Sequence, residues 1–278
     1  MARYQVILAY DGTLFLGFQR QSRTRTVQGV VEAALGALGW TGRTIYSAGR
    51  TDTGVHAAGQ VIAFDLEWKH STLDLRQALN ANLPEDVAAR EVREVPPDFH
   101  PRYGALSRRY QYRILCSDVR DPLRERYVWR VWPAPETVVL NQAARLLAGS
   151  HDYAAFGTPP RPNGTTVRTV QHAGWLTEGD EIVFEVRANA FLYHMVRRMV
   201  YLQVQAGQGR LALTDLAEAV NIQKPLVSGL APSAGLSLVE VTYPPEAIEE
   251  NQTIYAEGLR DNTLAASGED NRGQDLRP

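Results

Sequence analysis

Apolar and polar positions alternate from Tyr4 to Tyr10 (YQVILAY), which is the two-residue period of a half-buried strand, and the run stops at the turn signal Asp11-Gly12. After Thr26, a residue type that caps helices, Val27, Val30, Val31, Ala34, Leu35 and Leu38 recur at helical spacing until Gly39. Two further strands are expected over about residues 43–48 and 60–66. A helix from Leu73 stops before Pro84, and a strand over about 87–95 completes a β-α-β-β-α-β order.

The order then repeats, in residues as well as in pattern. Arg3-Tyr4-Gln5 returns as Arg109-Tyr110-Gln111, opening a strand to Leu115, and a helix over about 138–148 ends at Gly149. Arg43-Thr44-Ile45 with Ala48-Gly49 is echoed by Arg168-Thr169-Val170 with Ala173-Gly174, and a strand over 182–186 follows. A helix over about 191–205 and a strand over about 236–243 close the second round, with an extra helix capped by Thr214 before that strand. The expectation is an α+β fold: two pseudo-symmetric ferredoxin-like halves, residues 1–100 and 101–245, joined into one mainly antiparallel sheet with a central cleft. Residues 246–278 are polar and acidic, and are expected to form a loosely held tail.

Between the two strands of the first half lies Ser47-Ala48-Gly49-Arg50-Thr51-Asp52-Thr53-Gly54-Val55-His56-Ala57. The second half has no counterpart of Asp52; the hairpin Thr177-Glu178-Gly179-Asp180 stands there instead. Gly49 and Gly54 permit positive φ or close approach to a ligand, so the loop presents Asp52. Arg50, two residues away, is positioned by sequence to keep that carboxylate ionised through a charge-assisted hydrogen bond, as a nucleophile or base requires. The same residues also fit a turn cap beside a solvated arginine, so the loop by itself does not decide.

With 278 residues, 44% hydrophobic and 22% charged, the chain can bury a substantial core, and no apolar run reaches membrane-spanning length. The single cysteine, Cys116, permits no intramolecular disulfide, and a cytoplasmic location is expected. The net charge of -2 disguises an uneven distribution: without residues 246–278 the chain has 26 bases against 23 acids. All the cations but Lys69 and Lys224 are arginine, the side chain suited to bidentate phosphate contacts and stacking.

Several longer motifs stand in order along the chain: Tyr10-Asp11-Gly12, Gly17-Phe18-Gln19, Ala48 to Ala57, Phe99-His100-Pro101-Arg102, Arg109-Tyr110-Gln111-Tyr112, His151-Asp152-Tyr153, Phe191-Leu192 with Met195-Val196-Arg197, and Ala231-Pro232 with Gly235-Leu236. From about residue 4 to 243 they resemble the tRNA pseudouridine synthase A family. That resemblance implies an isomerase converting uridine to pseudouridine at positions 38 to 40 of the tRNA anticodon arm, without cofactor or metal. It also implies a homodimer with one tRNA bridging both subunits.

By the same resemblance Asp52 is the nucleophile and Arg50 its ion-pair partner. Tyr110 is the active-site tyrosine that stacks near the target base and helps remove the C5 proton, and Leu236 packs against the uracil ring. A base within a stem is reached only by turning it out, so flanking phosphates need a grip. The candidates are Arg20, Arg23 and Arg25, with Phe18 nearby, and Arg102, Arg108, Arg197 and Arg198. The chain departs from the family pattern at Arg198, Tyr201 and Leu230, none of which touches Asp52, Arg50 or Tyr110 in the sequence.

Two other classes compete. A metal-dependent hydrolase built on Asp11, Asp52, His56, His100 and His151-Asp152 lacks any spacing that offers two ligands from one element. A non-catalytic RNA-binding module leaves the glycine-flanked loop around Asp52 without a purpose.

Overall fold

The computed structural model describes residues 1–222 and 228–249. The first round of elements is β1 (Ala2–Tyr10), α1 (Val27–Ala37), β2 (Tyr46–Ser47), β3 (His56–Leu66), α2 (Thr72–Asn82) and β4 (Val87–Val95). The second is β5 (Ser107–Cys116), β6 (Trp129–Val131), α3 (Thr137–Leu146), β7 (Gly149–Asp152), β8 (Val167–Glu178), β9 (Glu181–Ala188), α4 (Met195–Gly207), α5 (Leu213–Ile222) and β10 (Leu236–Thr242). A short helix, α6 (Glu246–Glu249), follows. It occupies the start of the stretch read as a tail; residues 250–278 of that stretch lie outside the described residues.

The strands form one sheet in the order β4-β1-β3-β10-β5-β9-β8-β7, with β2 on β3 and β6 on β5. The internal repeat is visible in that order. β1 lies antiparallel between β4 and β3, and β5 lies antiparallel between β10 and β9. The two rounds meet where β3 and β10 run parallel, Ser237 opposite His56 and Leu238 opposite Ala57. Farther along β3, the partner is β2, with Tyr46 opposite Ala63 and Ser47 opposite Ile62. The same edge of β3 therefore serves two neighbours, and the loop carrying Asp52 leaves from the place where they diverge.

Apolar side chains from the strands pack against the helices in one continuous core that runs through both rounds, from Tyr4, Val6 and Leu8 to Phe184, Met199 and Leu216. A smaller cluster of Ala48, Val61, Ala63, Val95, Phe99 and Tyr243 forms a separate core group. α1 starts where Thr26 accepts the Gly29 amide, and α2 starts with Ser71 and Asp74 in a reciprocal capping box. Gly59 sits at the junction: a Cβ there would stand 2.3 Å from the Val239 carbonyl oxygen. Gly59→Ala is expected to force β3 and β10 apart and to cost roughly 1–3 kcal/mol of stability. Chemical denaturation measures this, and an unchanged midpoint would show the junction to be compliant.

Three expected boundaries shift for local reasons. The strand expected over 43–48 shrinks to β2 because the Ile45 amide donates to the buried Glu32 carboxylate at 3.2 Å and is diverted from the ladder. The helix expected from 191 begins at Met195. Tyr193 is bridged to Thr158, and His194 has φ 65°, a left-handed conformation that a right-handed helix cannot include. Thr214, expected as a cap, lies inside α5.

Behind the junction, His56 ties the two rounds together. Its Nδ1 accepts the Gly12 amide at 3.0 Å, which leaves Nε2 to donate to the Arg126 carbonyl at 3.1 Å. Asp11 adds a hydrogen bond from the Tyr127 hydroxyl at 2.9 Å and an ion pair with Arg126 at 3.7 Å. Burial lowers the pKa of His56, which suits the neutral tautomer these bonds require.

Candidate active site

The loop between β2 and β3 is fastened along its length. Buried Thr51 shares a hydrogen bond of 2.8 Å with the Tyr10 hydroxyl, and its carbonyl accepts the Phe18 amide at 3.0 Å. Gln60, fully buried, donates to the Gly49 carbonyl at 3.0 Å, and Arg108 donates to the Ala48 carbonyl at 3.0 Å. Of the two glycines expected to give the loop its shape, Gly54 has φ 76°, while Gly49 stays outside the positive-φ region and contributes only its carbonyl. Val55 closes the turn by donating its amide to the Asp52 carbonyl at 3.1 Å. The Asp52 side chain is thus presented by a backbone that has few ways to move.

Asp52 lines a cleft of about 670 Å³, within the roughly 300–1,000 Å³ range of ligand pockets. Its carboxylate, 18% exposed, has two basic neighbours, both from the start of α4: the Arg197 guanidinium at 3.6 Å and the His194 imidazole at 3.5 Å. Arg197 is itself aimed by Ala231, whose carbonyl accepts from Nε at 2.8 Å and whose amide donates to the Arg197 carbonyl at 3.3 Å. Burial raises the Asp52 pKa above the usual carboxylate range, and His194 when protonated, together with the permanent charge of Arg197, pulls it back. Burial lowers the pKa of His194 in turn, against the pull of Asp52. The arrangement is that of a sheltered carboxylate held ionised by a fixed guanidinium, able to act as a nucleophile or base.

The expected pairing of Asp52 with Arg50 does not form. Arg50 is exposed and makes no ion pair among the described residues, although it lines the cleft. The reason is the anchoring of Thr51 toward Tyr10 between them, which leaves Arg50 on the solvent side of the loop. Tyr110 and Leu236 both line the same cleft, from β5 and β10. Tyr110 is nearly buried, edge-on to Phe191 at 5.0 Å, and burial raises the pKa of its hydroxyl so that it stays protonated at neutral pH.

The arginines proposed as a phosphate grip divide. Arg102 is exposed at the cleft and Arg197 faces Asp52 within it. Arg198, one residue on and therefore about 100° around the helix, donates instead to the Gly229 carbonyl at 2.6 Å, where the ring of Tyr201 also packs. Arg20 is engaged by Glu32 at 2.6 Å, and Arg25 forms a bidentate pair with Asp86, so neither lines the cleft. Phe18, expected nearby, is buried in the wall of the cleft. Of the histidines and acids of the hydrolase reading, Asp11 and His56 meet at 3.2 Å, but among the described residues no group of three or more His, Cys, Asp or Glu comes together to hold a metal. No helix among the described residues is long and apolar enough to cross a membrane.

Comparison with known proteins gives a consistent set of relatives. A family model described as tRNA pseudouridine synthase matches residues 6–104 and 143–244. The chain is 37% identical over 257 residues to tRNA pseudouridine synthase A of Limosilactobacillus fermentum, covering 90% of this chain and 100% of that protein. It is 40% identical over 256 residues to the protein of the same name from Chloroflexus aurantiacus, covering 89% and 91%. The Methylobacterium nodulans protein of that name is 39% identical over 250 residues, covering 89% and 98%. A solved Cbf5-Nop10-Gar1 complex aligns with 89% of this chain and 51% of that one, at 14% identity and a TM-score of 0.35, too loosely to bear on the argument.

Proposed function

The chain belongs to the tRNA pseudouridine synthase family, isomerases that act on tRNA uridines, and we propose that it modifies positions 38, 39 and 40 of the anticodon arm with Asp52 as its nucleophile. The observation that carries this reading is the Asp52 carboxylate, sheltered in the cleft and paired with Arg197, with Tyr110 and Leu236 lining the same space. The anticodon-arm assignment is supported by the motif resemblance. The reaction breaks the C1′–N1 bond, turns the uracil, joins C1′ to C5, moves the C5 proton to solvent and protonates N1, so atoms and electrons balance without a co-reactant.

Asp52 is sheltered inside the cleft, so the uridine is turned out of its stack to reach it. Leu236 packs against the ring. Tyr110, kept as a neutral phenol, lies against the base and helps remove the C5 proton by orienting the water that carries it to solvent. Arg50 and Arg102, both exposed at the cleft, take flanking phosphates. Tritium release from tRNA carrying 5-tritiated uridine tests the reading: release confined to the anticodon-arm uridines supports it, and tRNA binding without release removes it.

The same reading takes in a cytoplasmic homodimer that shares one tRNA between subunits. Sedimentation at working concentration is expected to give twice the chain mass, and a monomer that turns over tRNA at full rate would exclude it.

A further inference from the structure

We propose that the mouth of the cleft holds a second nucleotide subsite, in which an unpaired tRNA base next to the isomerised uridine stacks on Tyr103 while its phosphate lies against Arg102. This rests on the tRNA reading above and adds to it the aromatic wall ending at Tyr103, which that reading leaves unused, beside the Arg102 it already uses for a phosphate.

Tyr103 is 71% exposed, an unfavourable setting for a large ring that lines a cleft. It is not loose. Its ring lies 4.4 Å from that of His100, and His100 lies 5.1 Å from Tyr46, so three rings form a ladder along one wall. The ladder is braced at its inner end by Arg3, whose guanidinium stands 5.2 Å from the Tyr46 ring centre and is held by both oxygens of Asp65 and by the Phe99 carbonyl. His100 is fixed at the middle, where its Nδ1 accepts the Arg102 amide at 3.1 Å. That acceptor role needs a neutral ring, and burial lowers the His100 pKa in the matching direction. The outermost face is therefore preorganised and open, which is how aromatic side chains bind bases that have left their stack.

Beyond the Arg3–Asp65 pair, the guanidiniums around Arg102 are not matched by carboxylates. Arg102 is exposed and makes no ion pair among the described residues. Arg108, buried beside it, donates to the carbonyls of Ala48, Arg102 and Asn189 rather than to any carboxylate. Arg168, also buried, donates to Thr165 and Val167 carbonyls, and its Nε has no partner. Carbonyls satisfy hydrogen bonds without cancelling charge, so three guanidiniums leave a standing positive field where the ladder ends. A base attached to a phosphate fits both features; a neutral or acidic peptide side chain fits at most one. The base is not the target, because Asp52 and Tyr110 are sheltered whereas Tyr103 is at the solvent mouth.

The test uses an anticodon stem-loop RNA with 2-aminopurine placed in turn on either side of the target uridine, together with tritium release from full tRNA. Wild type is expected to quench the fluorophore in one of the two positions. Tyr103→Phe keeps that quench. Tyr103→Ala loses it and raises KM about 5- to 100-fold, the effect of one base stack, with kcat changing far less. Because Tyr103 is exposed, its loss leaves the core intact. If Tyr103→Ala binds and quenches like wild type while both still release tritium, the subsite is wrong and the isomerase reading stands. If wild type releases no tritium, both fall.

Discussion

Asp52→Asn is expected to lower tritium release from 5-tritiated tRNA by about 10⁴-fold or more while leaving tRNA affinity within a few-fold of wild type. The magnitude follows from removing the group on which the bond rearrangement depends, which elsewhere collapses turnover to what binding alone supports. The substitution exchanges one oxygen for an amide nitrogen of the same shape, so the side chain still fits between Arg197 and His194. The backbone has no reason to move: Thr51, Gly49 and Val55 are each held by contacts that do not involve the Asp52 side chain. A variant that folds, binds and fails to react therefore isolates the charge. Turnover within tenfold of wild type would remove Asp52 from the chemistry.

Arg197→Met is expected to reduce kcat by roughly 10²–10³-fold near neutral pH, the cost of one preorganised charge partner in a sheltered site. The sign of its pH dependence separates this from simple damage. Asp52 sits above the usual carboxylate range because of burial, and Arg197 is the permanent charge that brings it down. With that charge gone the folded-state pKa climbs further, so a smaller fraction is ionised at any given acidic pH. The acidic limb of the activity profile then moves to higher pH, and activity recovers as pH is raised. Arg197→Lys keeps the charge without the Nε contact to Ala231, and is expected to fall between the two. A loss of activity that is flat across pH, with an unchanged limb, would make Arg197 a packing residue only.

The repeat and the loop were legible because both are local. Alternation and helical spacing are properties of neighbouring residues, and the strand order β4-β1-β3 and β10-β5-β9 follows from reading the same pattern twice. The partner of Asp52 was not legible in the same way. Arg50 is near it in sequence, but neighbours two apart separate once the residue between them is anchored, as Thr51 is by Tyr10. Arg197 arrives from the first turn of α4, with its direction set by Ala231, and that geometry exists only after the two rounds have packed. The Met195-Val196-Arg197 motif marks Arg197, together with Arg198 beside it, only as a candidate phosphate contact, and nothing along the chain aims it at Asp52. The strand is shorter than the pattern over 43–48 predicts because Glu32, a buried acid on α1, takes the Ile45 amide, and no pattern along 43–48 records that.

The His56 strut and the unbroken sheet have a consequence for what the RNA must do. Widening the cleft would pull apart the β3–β10 ladder on one side of the junction and the Gly12–His56–Arg126 chain of hydrogen bonds on the other. A jaw built this way has a fixed gape. The work of fitting then passes to the nucleic acid, which has to unstack and swing a nucleotide outward at an expense of a few kcal/mol. Selection among uridines follows the ease with which each local structure gives way, so softness of the RNA, as much as its letters, decides which positions are modified.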